Sequence, residues 1–263
     1  MPTVRRPAVA GMFYPASPGT LRSTVEELLR QAPPLAGPPP KAVIAPHAGY
    51  VYSGPIAATA FQALATKEAL RRVIVLGPAH RVTVRGVALP GADAFATPLG
   101  EVEVDTAAAE AIFHLPQVTV SAEAHAPEHS LEVELPFLQV LFPEIQVLPL
   151  VVGDASGDEV AEVLDLVWGG TETAIVVSSD LSHYLPYEAA RRADRETAGE
   201  IAALAGPLHS RQACGAYPIN GLLVAARRRG MAAQLLDLRN SGDTAGDKDR
   251  VVGYGAFAFS EAA

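Results

Sequence analysis

The sequence has very little cysteine: Cys214 is the only one among 263 residues. A single cysteine cannot form an internal disulfide, and it excludes zinc and iron–sulfur sites that need several thiolates. We interpret Cys214 as a small buried hydrophobic residue rather than a nucleophile. No uninterrupted apolar stretch approaches the ~20 residues of a membrane-spanning helix, and no apolar signal-peptide core follows the basic N-terminal residues. We therefore expect a cytoplasmic protein.

The chain also lacks a basic surface and long runs of like charge. Its formal net charge is −9 and its isoelectric point is about 5.3. Nucleic acids and anionic membranes attract basic surfaces, so neither is an expected partner. Apolar residues make up 49% of the chain, which is enough for a sizeable core. We expect one domain that spans residues 1–263.

Helical and strand patterns alternate along the sequence. Helical patterns lie near residues 18–31, 54–66, 105–114, 129–141, 156–168, 187–204 and 217–229, and strand patterns near 42–46, 73–77, 86–90, 117–121, 146–152, 173–178, 233–239 and 251–259. Segment 95–104 looks like an antiparallel excursion with a turn. This alternation predicts a single α/β domain with a largely parallel or mixed central sheet that is flanked by helices.

Three of the predicted strands end in residues that can bind metal or transfer protons. His47 and His80 each follow a short apolar strand and a proline, and Asp180 and His183 follow a third apolar strand. In an open α/β sheet, the carboxyl ends of neighbouring strands meet at one crevice where ligands bind. Imidazole suits iron, copper, zinc or nickel. These residues therefore predict a metal site, although a histidine after a strand is commonly only a hydrogen-bonded cleft residue.

Asp180 and His183 have two interpretations. Because they lie three residues apart, one helical turn could place them on the same side. Asp180 could cap a helix with His183 packed behind it, or His183 could be a general acid/base whose tautomer Asp180 fixes. The nearby pair of serines does not form a G-x-S-x-G elbow, which argues against a serine hydrolase.

Other polar segments supply candidates for the same crevice. Ser130 or His129 could cap the helix that follows, or Glu128 or His129 could line the cleft. Tyr50 lies at a helix start whose free N–H groups could hold an anionic group of a substrate or could simply be capped by Ser53. Asp243 follows a strand and could complete a facial triad with the two histidines, although it could equally build only an Asx turn.

Six sequence blocks, taken together, resemble the Memo family. They are spread from residue 7 to about residue 258 in the order of that family: Pro7–Pro15, Ala45–Tyr50, Leu76–His80, Glu128–Glu132, Ser179–His183 and the Tyr254 segment. The fold of this family resembles that of class III extradiol dioxygenases. The resemblance therefore implies an α/β domain with a pocket like that of a non-haem Fe(II) enzyme.

The resemblance also implies roles for individual residues. His47 and His80 match the two metal-binding histidines of the family, and Asp180 and His183 match its pocket residues. Animal members have a cysteine as a third metal-site residue, where this chain has Thr244 beside Asp243. Thiol-dependent copper or redox chemistry is therefore not carried over. Bacterial-type members are found alongside radical-SAM and AMMECR-type proteins, which are the implied partners.

We therefore expect a metal-dependent oxidoreductase of dioxygenase type that acts on a small-molecule or peptide-linked substrate. His47, His80 and Asp243 would hold Fe(II), with copper or zinc as alternatives, and His183 would move protons. The candidates for the substrate pocket are Tyr50, Glu128, His129 and Thr244. Two alternatives are a non-enzymatic metal-binding or protein-interaction module and a zinc-dependent hydrolase.

Overall fold

The structure is a computed structural model that describes residues 3–35, 37–67 and 69–261. Its strands are β1 Val4–Arg5, β2 Ala42–Ala45, β3 Arg72–Pro78, β4 Val87–Leu89, β5 Ala94–Thr97, β6 Gly100–Glu103, β7 Val118–Val120, β8 Gln146–Val152, β9 Thr173–Ser178, β10 His183–Leu185, β11 Met231–Asn240 and β12 Val251–Glu261. Its α-helices are α1 Pro18–Gln31, α2 Tyr50–Leu64, α3 Thr106–Ile112, α4 Ala122–His125, α5 Leu135–Leu141, α6 Gly157–Val167, α7 Tyr187–Ala202 and α8 Ala216–Arg228. Short 3-10 helices span Glu132–Glu134 and Ser241–Asp243.

The large central sheet is mixed. Among the described residues its strands follow the order β10-β12-β2-β9-β3-β8-β4-β7, and β11 pairs with β12. The central strands β2, β9, β3 and β8 are parallel, whereas β12 joins β2 and β4 joins β8 in antiparallel pairs. A smaller sheet has the order β1-β5-β6, and its β5–β6 pair is the predicted antiparallel excursion.

Alternating side chains on the central strands build a core on each face of the large sheet. Val43 and Val75 belong to one cluster, whereas Ile44 and Ile74 belong to the other. Successive residues of a strand point to opposite faces, so apolar strands of this kind must be covered on both sides. Helices α1, α2 and α5 contribute to the first cluster, and α3, α6, α7 and α8 contribute to the second. The predicted single α/β domain with helices on both sides of the sheet is confirmed.

Two helix boundaries differ from the sequence-based expectation; a long-range hydrogen bond accounts for the first and local side-chain hydrogen bonds for the second. Helix α2 begins at Tyr50 because the Tyr50 N–H donates to the carbonyl of Phe13, far away in sequence. The segment predicted as a helix from 129 becomes regular only at Leu135. The backbone N–H groups of His129 and Ser130 donate to the carboxylate of Glu128, and the backbone there does not adopt a regular helix. In the described parts of the chain, no helix has the length and apolar character needed to cross a membrane.

A buried ion pair fastens the N-terminal segment to the loop that follows α4. Arg5 and Glu132 form this pair, and they are 7% and 0% exposed. Glu132 also accepts hydrogen bonds from the N–H groups of Ala8 and Val9 at 2.7 and 3.0 Å and from the hydroxyl of Tyr14 at 2.5 Å. These donors all lie between Arg5 and Tyr14, so one carboxylate holds this stretch of the chain in place.

We predict that Glu132→Gln lowers the free energy of unfolding by about 3–5 kcal/mol, since it leaves Arg5 charged and unpaired in the interior. Urea denaturation of the full chain measures this change. Glu188→Gln is the control, because Glu188 pairs with Arg191 on the surface and its loss should cost less than about 1 kcal/mol. Similar losses for the two variants would contradict the assignment.

Candidate metal centre

Three neighbouring strands present the residues of the candidate site. His47, His80 and Asp180 each lie two residues beyond the end of β2, β3 and β9. These strands are adjacent and parallel in the order β2-β9-β3, so their carboxyl ends lie side by side. This is the edge of an open sheet at which ligands bind.

Three histidines converge at this edge. One ring nitrogen from each of His47, His80 and His129 lies within 4.8 Å of the others. The ring centroids are 5.2 Å apart for His47–His80, 5.3 Å for His47–His129 and 4.7 Å for His80–His129. Burial and the neighbouring imidazoles hold the pKa of His47 well below its ordinary value, so His47 is neutral. Neutral imidazole is the form that binds metal, and this group could bind a divalent metal ion.

The carboxylate of Glu128 lies behind two of these rings and not in the pocket. Its Oε1 lies 2.9 Å from Nδ1 of His80 and accepts from the N–H groups of His129 and Ser130 at 2.9 and 3.0 Å. Its Oε2 accepts from the backbone N–H of His80 at 2.7 Å. Burial by itself would raise the pKa of Glu128, but hydrogen bonds from His129, His80 and Ser130 hold the pKa well below its usual range.

The ionised Glu128 fixes the tautomer of His80. A carboxylate only accepts, so Nδ1 of His80 carries the hydrogen and its Nε2 keeps a free lone pair. This arrangement of carboxylate, histidine and metal is usual around metal ions in proteins. His129 lies nearby with its Nδ1 at 3.2 Å from Glu128 Oε1, and that nitrogen has no hydrogen-bond partner among the described residues. Together with His47 and His80, His129 gives a set of three imidazoles, and such a donor set fits a divalent first-row ion.

Cys214 lies against one of the three histidines. Its Sγ lies 3.4 Å from Nε2 of His47. Burial raises the pKa of this thiol to about 12, so it stays protonated at neutral pH. It is thus mostly buried, as the sequence-based interpretation expected, and it also touches the ligand side of His47, which that interpretation missed.

A cavity of about 390 Å³ lies beside His129 and is also lined by the residues that follow His47 in sequence, Ala48 and Gly49. Aromatic and polar side chains line it, among them Phe13, Tyr52, Tyr184, Tyr254, His129, Asp180, His183 and Arg250. The aromatic residues and Arg250 were not expected from the sequence. Their blocks are separated by more than two hundred positions, and no local spacing brings them together.

His183 and Asp180 both line this cavity, but their hydrogen bonds differ from the predicted ones. Nδ1 of His183 lies 2.8 Å from the carbonyl of Leu181, which can only accept. Leu181 therefore fixes the tautomer of His183 and leaves its Nε2 free. Asp180 accepts at 2.9 Å from the backbone N–H of His47. The expectation that Asp180 orients His183 is corrected: Asp180 positions the His47 turn.

The structure does not bring Asp243 to the histidines. Its side chain accepts from Tyr187 Oη at 2.5 Å and from the backbone N–H of Asn240 at 3.0 Å, and it closes the short 3-10 helix there. Thr244 donates to the carbonyl of Ser241 at 3.2 Å. Neither residue belongs to the group of ligand nitrogens, in which the third member is His129. The local turn, which was the alternative for Asp243, is what the structure contains.

Tyr50 also differs from the expectation. Its side chain is 5% exposed, and its hydroxyl donates at 2.8 Å to the carbonyl of Val133. The ring packs against Tyr14 and Phe137. Tyr50 is therefore a core residue under the site, and Tyr52 is the tyrosine of this segment that lines the cavity.

The fold and the converging histidines define an α/β protein with a three-imidazole site at the strand ends. The family model described as Memo-like protein matches residues 5–258. The chain therefore belongs to the Memo family, as the sequence blocks predicted.

Relatives of this chain match it over nearly its whole length. A MEMO1 family protein of Methanopyrus kandleri is 37% identical over 284 residues, covering 97% of this chain and 98% of the relative. A MEMO1 family protein of Pyrobaculum aerophilum is 36% identical, with coverages of 97% and 99%. An uncharacterized Escherichia coli K12 protein of known structure is similar with a TM-score of 0.46 and 15% identity, covering 81% of this chain and 98% of that one.

We predict that His129→Ala lowers the affinity for a divalent ion by at least about 10-fold, because it removes one of three ligand nitrogens. Asp243→Asn should leave the affinity unchanged. Isothermal titration of both full-length variants with Zn²⁺ measures the difference. The reverse pattern would restore Asp243 as the third ligand and remove His129 from the set.

Proposed function

We propose that this protein is a metal-dependent oxidoreductase of dioxygenase type that acts on a small-molecule or peptide-linked substrate. The observation that carries the proposal is the convergence of three ring nitrogens beside a cavity that also contains His183. Three residues, His47, His80 and His129, would hold the ion. Iron, in the Fe(II) state, is the proposed metal, although imidazole ligands also suit copper and zinc.

A bound Fe(II) ion would supply open coordination positions and the one-electron chemistry that reaction with O₂ requires. The residues around the ion decide which charge a substrate should carry. Three neutral imidazoles leave the charge of a divalent ion uncompensated, and the ionised Glu128 lies behind the rings. A substrate whose oxygen carries negative charge at the ion is therefore favoured, whereas the cavity wall, with Arg250 beside Asp180 and Asp247, selects no sign of charge by itself.

His183 is the proposed proton-transfer residue. Its Nδ1–H donates to the carbonyl of Leu181, so its Nε2 can take a proton from a substrate hydroxyl and return it later. The ring is exposed at the edge of the cavity, where it can reach a bound molecule. No ligand role is needed, because it is not one of the three converging histidines.

Metal-assisted hydrolysis is the second candidate, because three histidine ligands also hold catalytic zinc in enzymes. We expect protein purified without air or chelator to contain iron, and to consume O₂ when catechols and other phenols are supplied. Site variants His47→Ala and His80→Ala should lose the metal. The exposed His114→Ala is the matched control and should keep it. Zinc without iron, and no O₂ uptake, would favour the hydrolase and contradict the proposal.

A non-enzymatic module is distinguished by its partners. We propose radical-SAM and AMMECR-type proteins as candidates, from the family resemblance. If metal-free His47→Ala still binds such a partner as the parent does, and no substrate turns over, the protein-interaction role is favoured over the enzyme.

We predict that His183→Ala reduces turnover by ~10²–10⁴-fold while the metal content stays unchanged, because a proton-transfer residue contributes rate and no ligand bond. Elemental analysis and O₂ uptake on one preparation give both values. His209→Ala, at another exposed histidine, should change neither. Full activity in His183→Ala would end this assignment, and loss of metal would make His183 a ligand.

A further inference from the structure

The hydroxyl of Ser178 makes three short contacts at the end of β9. Its Oγ lies 2.6 Å from the carbonyl oxygen of Ser130, 2.7 Å from Oε1 of Glu134 and 2.7 Å from Nδ1 of His47. Ser130, Glu134 and Ser178 are each 0% exposed. Solvent therefore cannot satisfy any of these groups, and the hydrogens must be shared among them.

The hydrogens of this cluster can be counted. A hydroxyl has one hydrogen and two lone pairs, and a backbone carbonyl only accepts. The hydrogen of Ser178 must therefore go to Ser130, since otherwise two oxygens would face each other at 2.6 Å with no hydrogen between them. The lone pairs of Ser178 then meet Glu134 and His47. Each of these must bring its own hydrogen.

The surroundings of Glu134 favour an uncharged acid. Burial raises the pKa of Glu134 well above its ordinary value, and the nearby Asp180 raises it further. A hydrogen bond donated by Ser178 would lower this pKa, but the Ser178 hydrogen goes to Ser130. Its second oxygen, Oε2, has no hydrogen-bond partner among the described residues. A buried carboxylate with an unsatisfied oxygen would be costly, whereas a neutral acid costs much less.

We propose that Glu134 is a neutral carboxylic acid whose O–H donates to Ser178, and that Ser178, with its own hydrogen given to Ser130, is the positioning residue that fixes the Nδ1–H tautomer of His47 and leaves Nε2 free as the ligand atom. The role of Nε2 as a ligand rests on the metal site of the proposed function. The protonation of Glu134 and the tautomer of His47 follow from the hydrogen bonds alone. Nε2 is also the nitrogen that contacts the thiol of Cys214. In the metal-free protein this protonated thiol is a suitable weak donor to Nε2.

The two histidines that follow strands, His47 and His80, are thus oriented by chemically different hydrogen-bonding groups. The ionised carboxylate of Glu128 fixes His80 directly, whereas a neutral acid and a hydroxyl fix His47. Ser130 connects these two groups, because its N–H donates to Glu128 and its carbonyl accepts from Ser178. Gly77 allows this approach: a Cβ at that position would lie 2.5 Å from Oγ of Ser130.

The tautomer and the acid can be tested on the metal-free full-length chain. We expect ¹⁵N NMR to show a protonated Nδ1 and an unprotonated Nε2 for His47, with the signals assigned by their absence in His47→Gln. Infrared difference spectra against Glu134→Gln should show the carbonyl band of a protonated acid in the parent. A protonated Nε2, or the absence of that band, would overturn the inference even if the metal site is correct.

Variants then test the effect on the metal centre, with Zn²⁺ alone as the probe. Glu134→Gln places an N–H donor where the acid has its O–H. The tautomer of His47 should therefore stay the same, and the affinity for Zn²⁺ should stay within about threefold of that of the parent. Ser178→Ala should disturb the tautomer and weaken Zn²⁺ binding by about 10–100-fold, and Ser178→Thr should restore both. Ser182→Ala is the control, because it removes a buried hydroxyl that has no hydrogen-bond partner among the residues that the structure describes.

Two outcomes separate this inference from the proposed function. If Glu134→Gln weakens Zn²⁺ binding as much as Ser178→Ala does and shifts the tautomer equally, Glu134 is an ionised acceptor and the inference is wrong. If the parent has the expected tautomer and acid band but binds no metal, the proposed function fails and the positioning of His47 by Glu134 and Ser178 still holds.

Discussion

The carboxylate of Glu128 is the group on which the geometry of the site depends. It is 1% exposed and accepts from the ring and backbone of His80 and from the N–H groups of His129 and Ser130. A buried charge needs several donors, and here these donors belong to the very residues that must converge. Satisfying one carboxylate therefore holds the ring of His80 and the backbone of His129 at the same edge of the sheet.

The N-terminal segment supports that arrangement from the other side. Arg5 donates to the carbonyls of His125 and Glu128 at 3.1 and 2.5 Å, besides pairing with Glu132. The chain between α4 and α5 forms no strand, so its buried carbonyls need donors from elsewhere. A strand of only two residues, β1, thus holds the loop that carries Glu128 and His129. Fold stability and site geometry share the same few side chains.

Much of the architecture was predictable because its signals are local. The apolar runs of β2, β3, β8 and β9 and the helical periodicity of α1, α6 and α8 lie close to the predicted ranges. His47 and His80 could be predicted for the same reason, since a strand followed by a turn places its next polar residue at the sheet edge. The short β1 and β10 were missed, because two or three residues carry no periodic pattern.

The sequence by itself determined the α/β class, the family and two histidines of the centre. Only the tertiary structure decided which residue is the third member of the candidate metal centre. Asp243 and His129 both follow elements near the crevice, and spacing cannot tell which one enters it. Asp243 accepts hydrogen bonds from Asn240 in its own turn and from Tyr187. His129 instead donates its backbone N–H to Glu128, in a segment whose carbonyls accept from Arg5. Local patterns decide which elements form, but long-range pairing of buried polar groups decides which side chains meet.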